Sequence, residues 1–463
     1  MNQMITYSPI DNSIYVERLL ATQNDIQQAL YKAEKAKPLW AKTTLAEREV
    51  FCTRAVDAIL GKKAIIAQEI CWQMGRPIRY AENELNGFEE RARYMISHAK
   101  AALSPIQIPE KNGFIRYIKR EPLGISFVMA PWNYPYLTAV NAIIPAIMAG
   151  NVVLLKHSAQ TPLVAERFAE AFDTAGLPDG VFQYLHLSHV DTEEIIRTAP
   201  IQHIAFTGSV EGGIMVERAA AGRFLSVNLE LGGKDPAYVR EDADLEHAVS
   251  TLIDGAFFNS GQSCCGIKRI YVHAKLFNQF VSKSIEITKQ YKLGRSDDPE
   301  TTLGPVIRPA AANFVRHQIK EAIEQGAVAH IDSRHFAYDK PDSAYLAPQI
   351  LTHVNHQMRI MTEESFGPVV GIMSVRNDED AIQLMNDNDY GLTAAVFTKD
   401  IDAGKLIGEQ VQCGTFFINR CDYLDPALAW TGVKKSGRGS SLSTVGYESL
   451  TRPKSFHIQQ GVS

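Results

Sequence analysis

At 463 residues the chain is roughly three times the usual domain length, so two or three lobes are expected, each able to bury its own core. Hydrophobic residues make up 45% of it and charged residues 21%, which excludes disordered and fibrous classes. Lysine and arginine total 47 against 52 aspartate and glutamate, and a net charge of −5 gives no basic surface for nucleic acid or an acidic membrane. A small molecule is therefore the expected partner. The six cysteines, at 52, 71, 264, 265, 413 and 421, form no CxxC pair and have no histidines at zinc-ligand spacing, so neither a metal site nor a disulfide framework is expected. The opening residues lack the pattern of a signal peptide and no run of about 18 apolar residues occurs, which predicts a cytoplasmic protein without membrane attachment.

In chain order, residues 24–100 carry apolar positions at helical spacing, such as Ile26, Ala29, Leu30 and Ala33, and predict two or three long helices. Residues 106–120 alternate apolar and polar types around Lys111-Asn112-Gly113, a hairpin signal that predicts a projecting β arm. Short apolar runs at 123–129, 152–155, 181–185, 201–206 and 227–231 then alternate with helical stretches. Such runs predict parallel strands covered on both faces, a doubly wound nucleotide-binding pattern. A second alternation, with strands near 269–272, 369–373, 394–397 and 415–419, predicts a second α/β lobe. Motif placement puts the boundary near Gly233.

Four segments carry chemistry. In Phe257-Phe258-Asn259-Ser260-Gly261-Gln262-Ser263-Cys264-Cys265 a helical run breaks at Gly261, and a cysteine near a helix N-terminus would gain thiolate character. Local sequence equally allows two small buried thiols. In Asn228-Leu229-Glu230-Leu231-Gly232-Gly233-Lys234 an acid inside an apolar run should be desolvated toward the range of a general base, or else pair with Lys234 or a backbone amide. The glycines there would admit a close backbone approach. Ala130-Pro131-Trp132-Asn133-Tyr134-Pro135 stands at the end of a strand, where an Asn amide can serve an oxyanion or simply close a turn. Phe206-Thr207-Gly208-Ser209-Val210-Glu211-Gly212-Gly213 follows a strand and opens a helix whose N–H groups could face a pyrophosphate, although it is not GxGxxG.

Taken in order, these segments resemble the aldehyde dehydrogenase superfamily over nearly the whole chain. The resemblance is carried by Asn133, by Lys156 at a strand end, by Gly208-Ser209, by Glu230 in ELGGK and by Cys264 in GQSC. It continues through Glu364-Ser365-Phe366-Gly367-Pro368, Asn419 and Gly432-Val433-Lys434-Lys435-Ser436-Gly437. It implies a Rossmann-like cofactor lobe (1–105 and 122–233), a catalytic lobe (234–445) and oligomerisation strands (106–121 and 446–463) that build a homodimer or homotetramer. It also implies Cys264 as the nucleophile rather than Cys265, Asn133 with the Cys264 N–H as oxyanion donors, and Glu230 as the base that hydrolyses a thioester. For NAD or NADP it implies Trp132 and Lys156 on the adenosine side. Gly208, Ser209 and Gly213 fall at the pyrophosphate, and Glu364 with Phe366 at the nicotinamide ribose.

Two departures stand out. Where NAD-preferring members often carry Lys-Pro-x-Glu, this chain reads Lys156-His157-Ser158-Ala159; without that Glu, and with Lys156 and Ser158 nearby, a 2′-phosphate is accommodated and NADP stays open. Ser365 replaces an apolar residue. The substrate is an aldehyde, with succinate semialdehyde, an aminoaldehyde and an apolar or aromatic aldehyde as alternatives. The chain's length and its Lys-His turn are similar to bacterial succinate-semialdehyde dehydrogenases, which need arginines for a carboxylate. Near the mouth stand Arg420, Cys421, Asp422, Tyr423, Asp425 and Trp430. Two acids beside one arginine speak against an anion, and Asp422 and Asp425 are expected to cap a surface turn. Tyr134, Phe258 and Trp430 are expected to form an aromatic funnel. The rival readings are a CoA-acylating dehydrogenase and a catalytically silent relative.

Overall fold

The computed structural model describes residues 3–461, so the outermost ends of the expected cofactor and arm segments, residues 1–2 and 462–463, lie outside the described residues. An antiparallel pair, Gln3–Tyr7 with Ile14–Leu19, opens the chain and was not expected from sequence. Four helices follow where two or three were expected: Gln23–Trp40, Leu45–Leu60, Lys63–Met74 and Ile78–Leu103. The extra division has local causes. Thr22 with Asp25 and Thr44 with Glu47 form capping boxes, each satisfying two orphan backbone donors and fixing a helix start. Gly75, in the left-handed conformation, ends the third helix, and Pro77 precedes the fourth.

The first sheet has six strands in the order Gly437–Arg438, Ser226–Glu230, His203–Thr207, Ile125–Ala130, Val152–His157 and Phe182–Tyr184. The last five are parallel and match the five apolar runs; the first is antiparallel, pairing Gly437 with Glu230. Strand order reverses between Ile125–Ala130 and His203–Thr207. In open α/β sheets the crevice at such a switch point holds the ligand. The turn at Trp132 and Asn133 and the turn at Gly208 and Ser209 leave the sheet there.

The second sheet has seven strands: Val328–Ala329, Gln349–Thr352, Val369–Val375, Ile267–His273, Asp235–Val239, Thr393–Phe397 and Thr415–Ile418. Four correspond to the expected runs. Asp235–Val239 lies near the centre and is buried throughout, but its opening Asp-Pro disguises it in sequence. Gln349–Thr352 and Val328–Ala329 are short edge elements that the hydrophobic pattern did not single out.

The arm is a three-stranded sheet. The turn at Lys111-Asn112-Gly113 forms, with Gly113 at φ 78°, but Ile106–Gln107 reach only Ile118 and Tyr117. The main partner of Phe114–Pro122 is the C-terminal strand Thr451–Gln459, paired from Thr451 with Pro122 to Gln459 with Phe114. Among the described residues no helix is long and apolar enough to cross a membrane.

One buried ion pair fastens the helices to the sheet's ligand edge. Arg76 and Glu84, both buried, pair through Nη1. Glu84 also accepts from the backbone N–H of Tyr136 (2.7 Å) and Leu137 (3.4 Å), the first turn of Pro135–Met148. A carboxylate is favoured there because it meets both the free N–H groups and the positive end of the helix dipole. Removing one partner leaves the other charge buried alone. The Arg76→Ala protein should therefore be less stable by about 3–5 kcal/mol, read as a lowered midpoint in chemical denaturation; an unchanged midpoint would show the pair to be dispensable.

Candidate active site

Cys264 lies on a loop that is tied down at almost every residue. Leu245–Phe257 ends in a short 3-10 turn, Phe258–Gly261, with Asn259 (φ 53°) and Ser260 (φ 56°) in the left-handed region. That strained backbone is held from all sides. Arg76 Nε donates to Asn259 Oδ1 (3.1 Å), Ser260 Oγ to the Gly304 carbonyl (2.8 Å), and Lys268 Nζ to the carbonyls of Gly261 (2.8 Å) and Gly367 (2.9 Å). Gln262 Oε1 accepts from Ile307 N–H (2.7 Å). The expectation that Cys264 sits at a helix N-terminus is not met: residues 263–266 form a turn that feeds the strand Ile267–His273. Gly233 has a specific purpose, since a Cβ there would collide with the Cys264 carbonyl.

The adjacent cysteine differs in its surroundings. Cys265 is buried and its Sγ donates to Asp422 Oδ1 (3.0 Å), which also accepts from Ser263 Oγ (2.9 Å). Contact with Cys264 and burial push the Cys265 thiol well above its ordinary range, so it stays protonated. Cys264 is only half-buried and faces the cavity. The expected surface-turn role of Asp422 is thus overturned: Asp422 is held inside the site at positive φ, and burial pushes its pKa up to about 6. Asp425 does cap a turn, accepting from Ala427 N–H (2.8 Å).

Glu230 ends the strand Ser226–Glu230 of the first sheet. Its carboxylate accepts from Ser441 Oγ and from Thr207 Oγ1 (3.3 Å), not from Lys234, whose Nζ donates instead to Ser365 Oγ (2.9 Å). Burial raises its pKa above the usual carboxylate range, with the Ser441 and Thr207 hydroxyls and Arg91 acting in the opposite sense. Asn133 is buried and donates through Nδ2 to the Gln262 carbonyl (3.1 Å), while its own carbonyl accepts from Arg76 Nη2 (2.7 Å) and Asn259 Nδ2 (3.1 Å). Its amide therefore lies against the Cys264 loop.

Cys264 and Glu230 share a cavity of about 330 Å³. Tyr134, Phe258 and Trp430 line it, as the expected aromatic funnel requires, together with Leu137, Leu424, Arg91 and Asp422. Arg420 turns away onto the Tyr423 ring at 3.6 Å. Ser441 and Arg91 were not anticipated: Ser441 lies in a serine-rich stretch with no spacing to tie it to Glu230, and Arg91 reads as one charge among Glu89, Glu90 and Arg93 on a helix.

A second cavity, about 500 Å³, is lined by Val210, Glu211, Arg308, Glu364, Phe366 and Tyr390. Ser209 caps the helix Val210–Ala220 through Gly212 N–H (3.2 Å), and the N–H groups of Val210 and Glu211 have no protein acceptor among the described residues. A dinucleotide phosphate fits such free donors. Gly208 N–H donates to the Glu230 carbonyl (3.0 Å), and Gly213 lets the helix lie on Leu231, where a Cβ would come within 2.7 Å. Glu364 accepts from Gly233 N–H (3.1 Å) directly over Gly232, and burial raises its pKa. Trp132 meets Phe366 edge to face at 5.6 Å, so it stands beside the Glu364 end of the groove. Lys156 and Ser158 lie at the carboxyl end of Val152–His157, where burial lowers the Lys156 pKa. His157 between them is structural, bonded to the Pro135 carbonyl (3.1 Å) and Thr161 (3.1 Å), and burial holds its pKa at about 4.

This arrangement has close counterparts. Residues 2–456 match the aldehyde dehydrogenase family. Succinate-semialdehyde dehydrogenase [NADP(+)] 1 of Mycobacterium tuberculosis is 32% identical over 440 residues, covering 95% of this chain and 96% of the relative. The structure of succinic semialdehyde dehydrogenase from Streptococcus pyogenes in complex with NADP+ superposes with a TM-score of 0.94 at 27% identity, covering 99% of this chain and 100% of the other. Betaine aldehyde dehydrogenase from Staphylococcus aureus in complex with NAD+ gives 0.93 at 28% identity, covering 100% and 93%. With a family match over residues 2–456, two doubly wound sheets and a thiol sharing one cavity with a half-buried carboxylate, this chain belongs to the aldehyde dehydrogenase family.

Proposed function

We propose that the chain oxidises an aldehyde to a carboxylic acid through a thioester on Cys264, with NAD+ or NADP+ as the electron acceptor. The observation that carries this reading is the shared cavity: Cys264 and Glu230 line it together, while the Cys265 proton is held by Asp422. The Cys264 sulfur attacks the aldehyde carbon. The oxygen that gains charge is met by Asn133 Nδ2, which has a second N–H beyond its bond to Gln262, and by the Cys264 N–H, which has no protein acceptor among the described residues. Preorganised donors of this kind contribute about 3–4 kcal/mol each to the transition state. A nicotinamide held beside Glu364 and Phe366 would supply the acceptor for the hydride of the former aldehyde carbon. Glu230 then takes a proton from the water that attacks the thioester carbonyl, and the Cys264 thiolate departs as the acid forms.

The first sheet and its helices form the cofactor lobe, and the second sheet the catalytic lobe. Glu364 and Phe366 hold the nicotinamide-ribose end, and Trp132, which packs on Phe366, belongs there rather than on the adenosine side where the resemblance put it; Ser209 with its helix N-terminus takes the pyrophosphate, and Lys156 with Ser158 faces the adenosine ribose. With no acid in the turn after Lys156, both cofactors are accommodated, in keeping with relatives named for NADP(+) and for NAD(P)+. The free thiols this chemistry needs suit a cytoplasmic location. The arm leaves Thr451–Gln459 as an edge strand with Ile115 and Ile458 exposed, which supports a homodimer or homotetramer built by strand pairing.

Cys264→Ala should lower turnover at least about a thousandfold. Glu230→Gln should release about one reduced nicotinamide per site and then stall at the thioester; steady turnover at the native rate would remove Glu230 from the mechanism. Because burial raises the Glu230 pKa and only its carboxylate form can take the proton, kcat should fall as pH drops through a value above the ordinary carboxylate range, and this limb should vanish in Glu230→Gln. Lys156→Ala should raise KM for NADP+ more than for NAD+, measured by reduced-nicotinamide absorbance; equal changes would place Lys156 away from the 2′ position. Light scattering at micromolar concentration should give a dimeric or tetrameric mass, and a monomeric mass would contradict the arm's role.

A further inference from the structure

Two adjacent thiols, Cys264 and Cys265, line the cavity, and the carboxylate of Asp422 lines it beside them. Asp422 follows the strand Thr415–Ile418 on a segment that lies against the helix Leu245–Phe257 at Gly255, where a Cβ would come within 2.6 Å of Cys421 Sγ. Its Oδ1 accepts from Ser263 Oγ (2.9 Å) and from Cys265 Sγ (3.0 Å), the residues on either side of Cys264. Its Oδ2 accepts from no protein donor among the described residues. Asp422 makes no ion pair among the described residues, and Lys268 acts on it only from farther off. A carboxylate drawn from water without a contacting cation costs stability, yet its side-chain bonds run only to the two neighbours of Cys264.

The two thiols are in contact, and the single Cys265 proton can be given to only one acceptor at a time. An S–H donated to a Cys264 thiolate would stabilise that thiolate and lower its nucleophilicity. Sulfur is the weaker acceptor, so the Asp422 carboxylate draws the proton to itself. Burial pushes the Asp422 pKa up to about 6, which leaves it ionised, and an acceptor only, at neutral pH. The other acids of the cavity are engaged elsewhere: Glu230 is bonded to Ser441 and Thr207, and Glu90 accepts from Tyr423 at the rim (3.0 Å). Cys265 therefore stays buried and protonated, and Cys264 is left half-buried and open to the cavity.

We infer that Asp422 is a positioning residue that selects Cys264 over Cys265: it turns the Cys265 S–H away from Cys264 and ties the residues on both sides of the nucleophile to one oxygen. The inference rests on the thioester reading proposed above. Iodoacetamide tests it on the full-length protein without a choice of aldehyde, with the rate of modification at each cysteine read by peptide mass mapping at fixed pH. In the wild type, modification should fall on Cys264 and spare Cys265. Asp422→Ala should slow modification of Cys264 by about 10-fold or more, because the freed S–H then donates to a charged sulfur. Asp422→Asn keeps the Oδ1 acceptor and changes only the unbonded Oδ2, so its rate should stay within about threefold of the wild type. Adding Cys265→Ala to Asp422→Ala should restore the Cys264 rate, a rescue that a merely structural role for Asp422 would not give. Modification of Cys265 in the wild type, a wild-type rate in Asp422→Ala, or no rescue by Cys265→Ala would each overturn the inference. If Asp422→Ala does not fold, Asp422→Asn still decides: a slowing of about 10-fold there would show that the charge, rather than the two accepted bonds, acts on the thiol, and would overturn it too. A Cys264→Ala protein that still oxidises aldehydes would instead overturn the thioester reading, while the selection between thiols is read from alkylation alone.

Discussion

The buried guanidinium of Arg76 joins three parts of the chain at one point: the long helix, the turn at Asn133 and Tyr134, and the turn at Asn259. It pairs with Glu84 on the long helix, donates to the Asn133 carbonyl and to Asn259 Oδ1, and lies over the Tyr134 ring at 4.5 Å. Through Asn133 it reaches the proposed oxyanion side of the site, and through Asn259 the left-handed turn that precedes Cys264. A backbone held in the αL region by two non-glycine residues persists only where its surroundings over-determine it. Arg76, Lys268 and the Ser260 bond to Gly304 supply that surrounding. The planar fork suits the position because Nε, Nη1 and Nη2 are separate nitrogens, each placed on a different acceptor, a spread that the single nitrogen of an ammonium does not have.

The second face of the site depends on two buried lysines, Lys234 and Lys268. Lys268 is satisfied by two carbonyls, and burial holds its pKa down to about 8. Lys234 donates to Ser365, which in turn donates to Gln318 Oε1 at 2.7 Å. The serine that departs from the family pattern therefore has a partner that an apolar residue could not provide. This chain carries the Glu364 segment on a polar relay from Lys234 to Gln318, and Glu364 in turn reaches back to the Gly233 N–H. Substitution at Ser365 alone would leave the buried Lys234 Nζ without its hydrogen-bond partner.

Strands that read as continuous apolar runs were legible because both faces are covered, as at Ile125–Ala130, where every residue is buried. Asp235–Val239 is equally buried yet was missed, because its Asp235 carboxylate is answered by Thr393, 158 residues away, a pairing that no local pattern shows. The same reason separates the legible from the hidden in the site. Cys264, Glu230 and Asn133 stand in motifs whose order carries them. Arg91, Ser441 and Asp422 gain their meaning from partners on other elements, and Asp422 looked like a turn cap because its neighbour Asp425 is one. The count of helices between 23 and 103 was readable in hindsight from Thr22-x-x-Asp25 and Thr44-x-x-Glu47, which mark helix starts more sharply than hydrophobic periodicity does.

The proposed nucleophile and base lie on different sheets, so their relative placement is a property of how the sheets are joined rather than of either one. Glu230 ends a strand of the first sheet, and Cys264 immediately precedes a strand of the second. The chain crosses between them at residues 231–234 and returns at 433–438, where the two crossings are bonded to each other. Leu231 N–H donates to the Ser436 carbonyl (3.0 Å), Ser436 Oγ donates to the Gly232 carbonyl (2.7 Å), and Ser436 Oγ accepts from Gly391 N–H (3.0 Å). Gly232 and Gly233 permit this because side chains there would strike the Glu364 carboxylate and the Cys264 carbonyl. Ser436 is fully buried and has no route to substrate, so the Gly-Val-Lys-Lys-Ser-Gly segment acts on the reaction only through alignment. A displacement of one sheet by a fraction of an ångström would move Glu230 relative to Cys264 without touching either residue, and for the proposed base and thioester effects of that size on rate are characteristic of positioned catalytic groups.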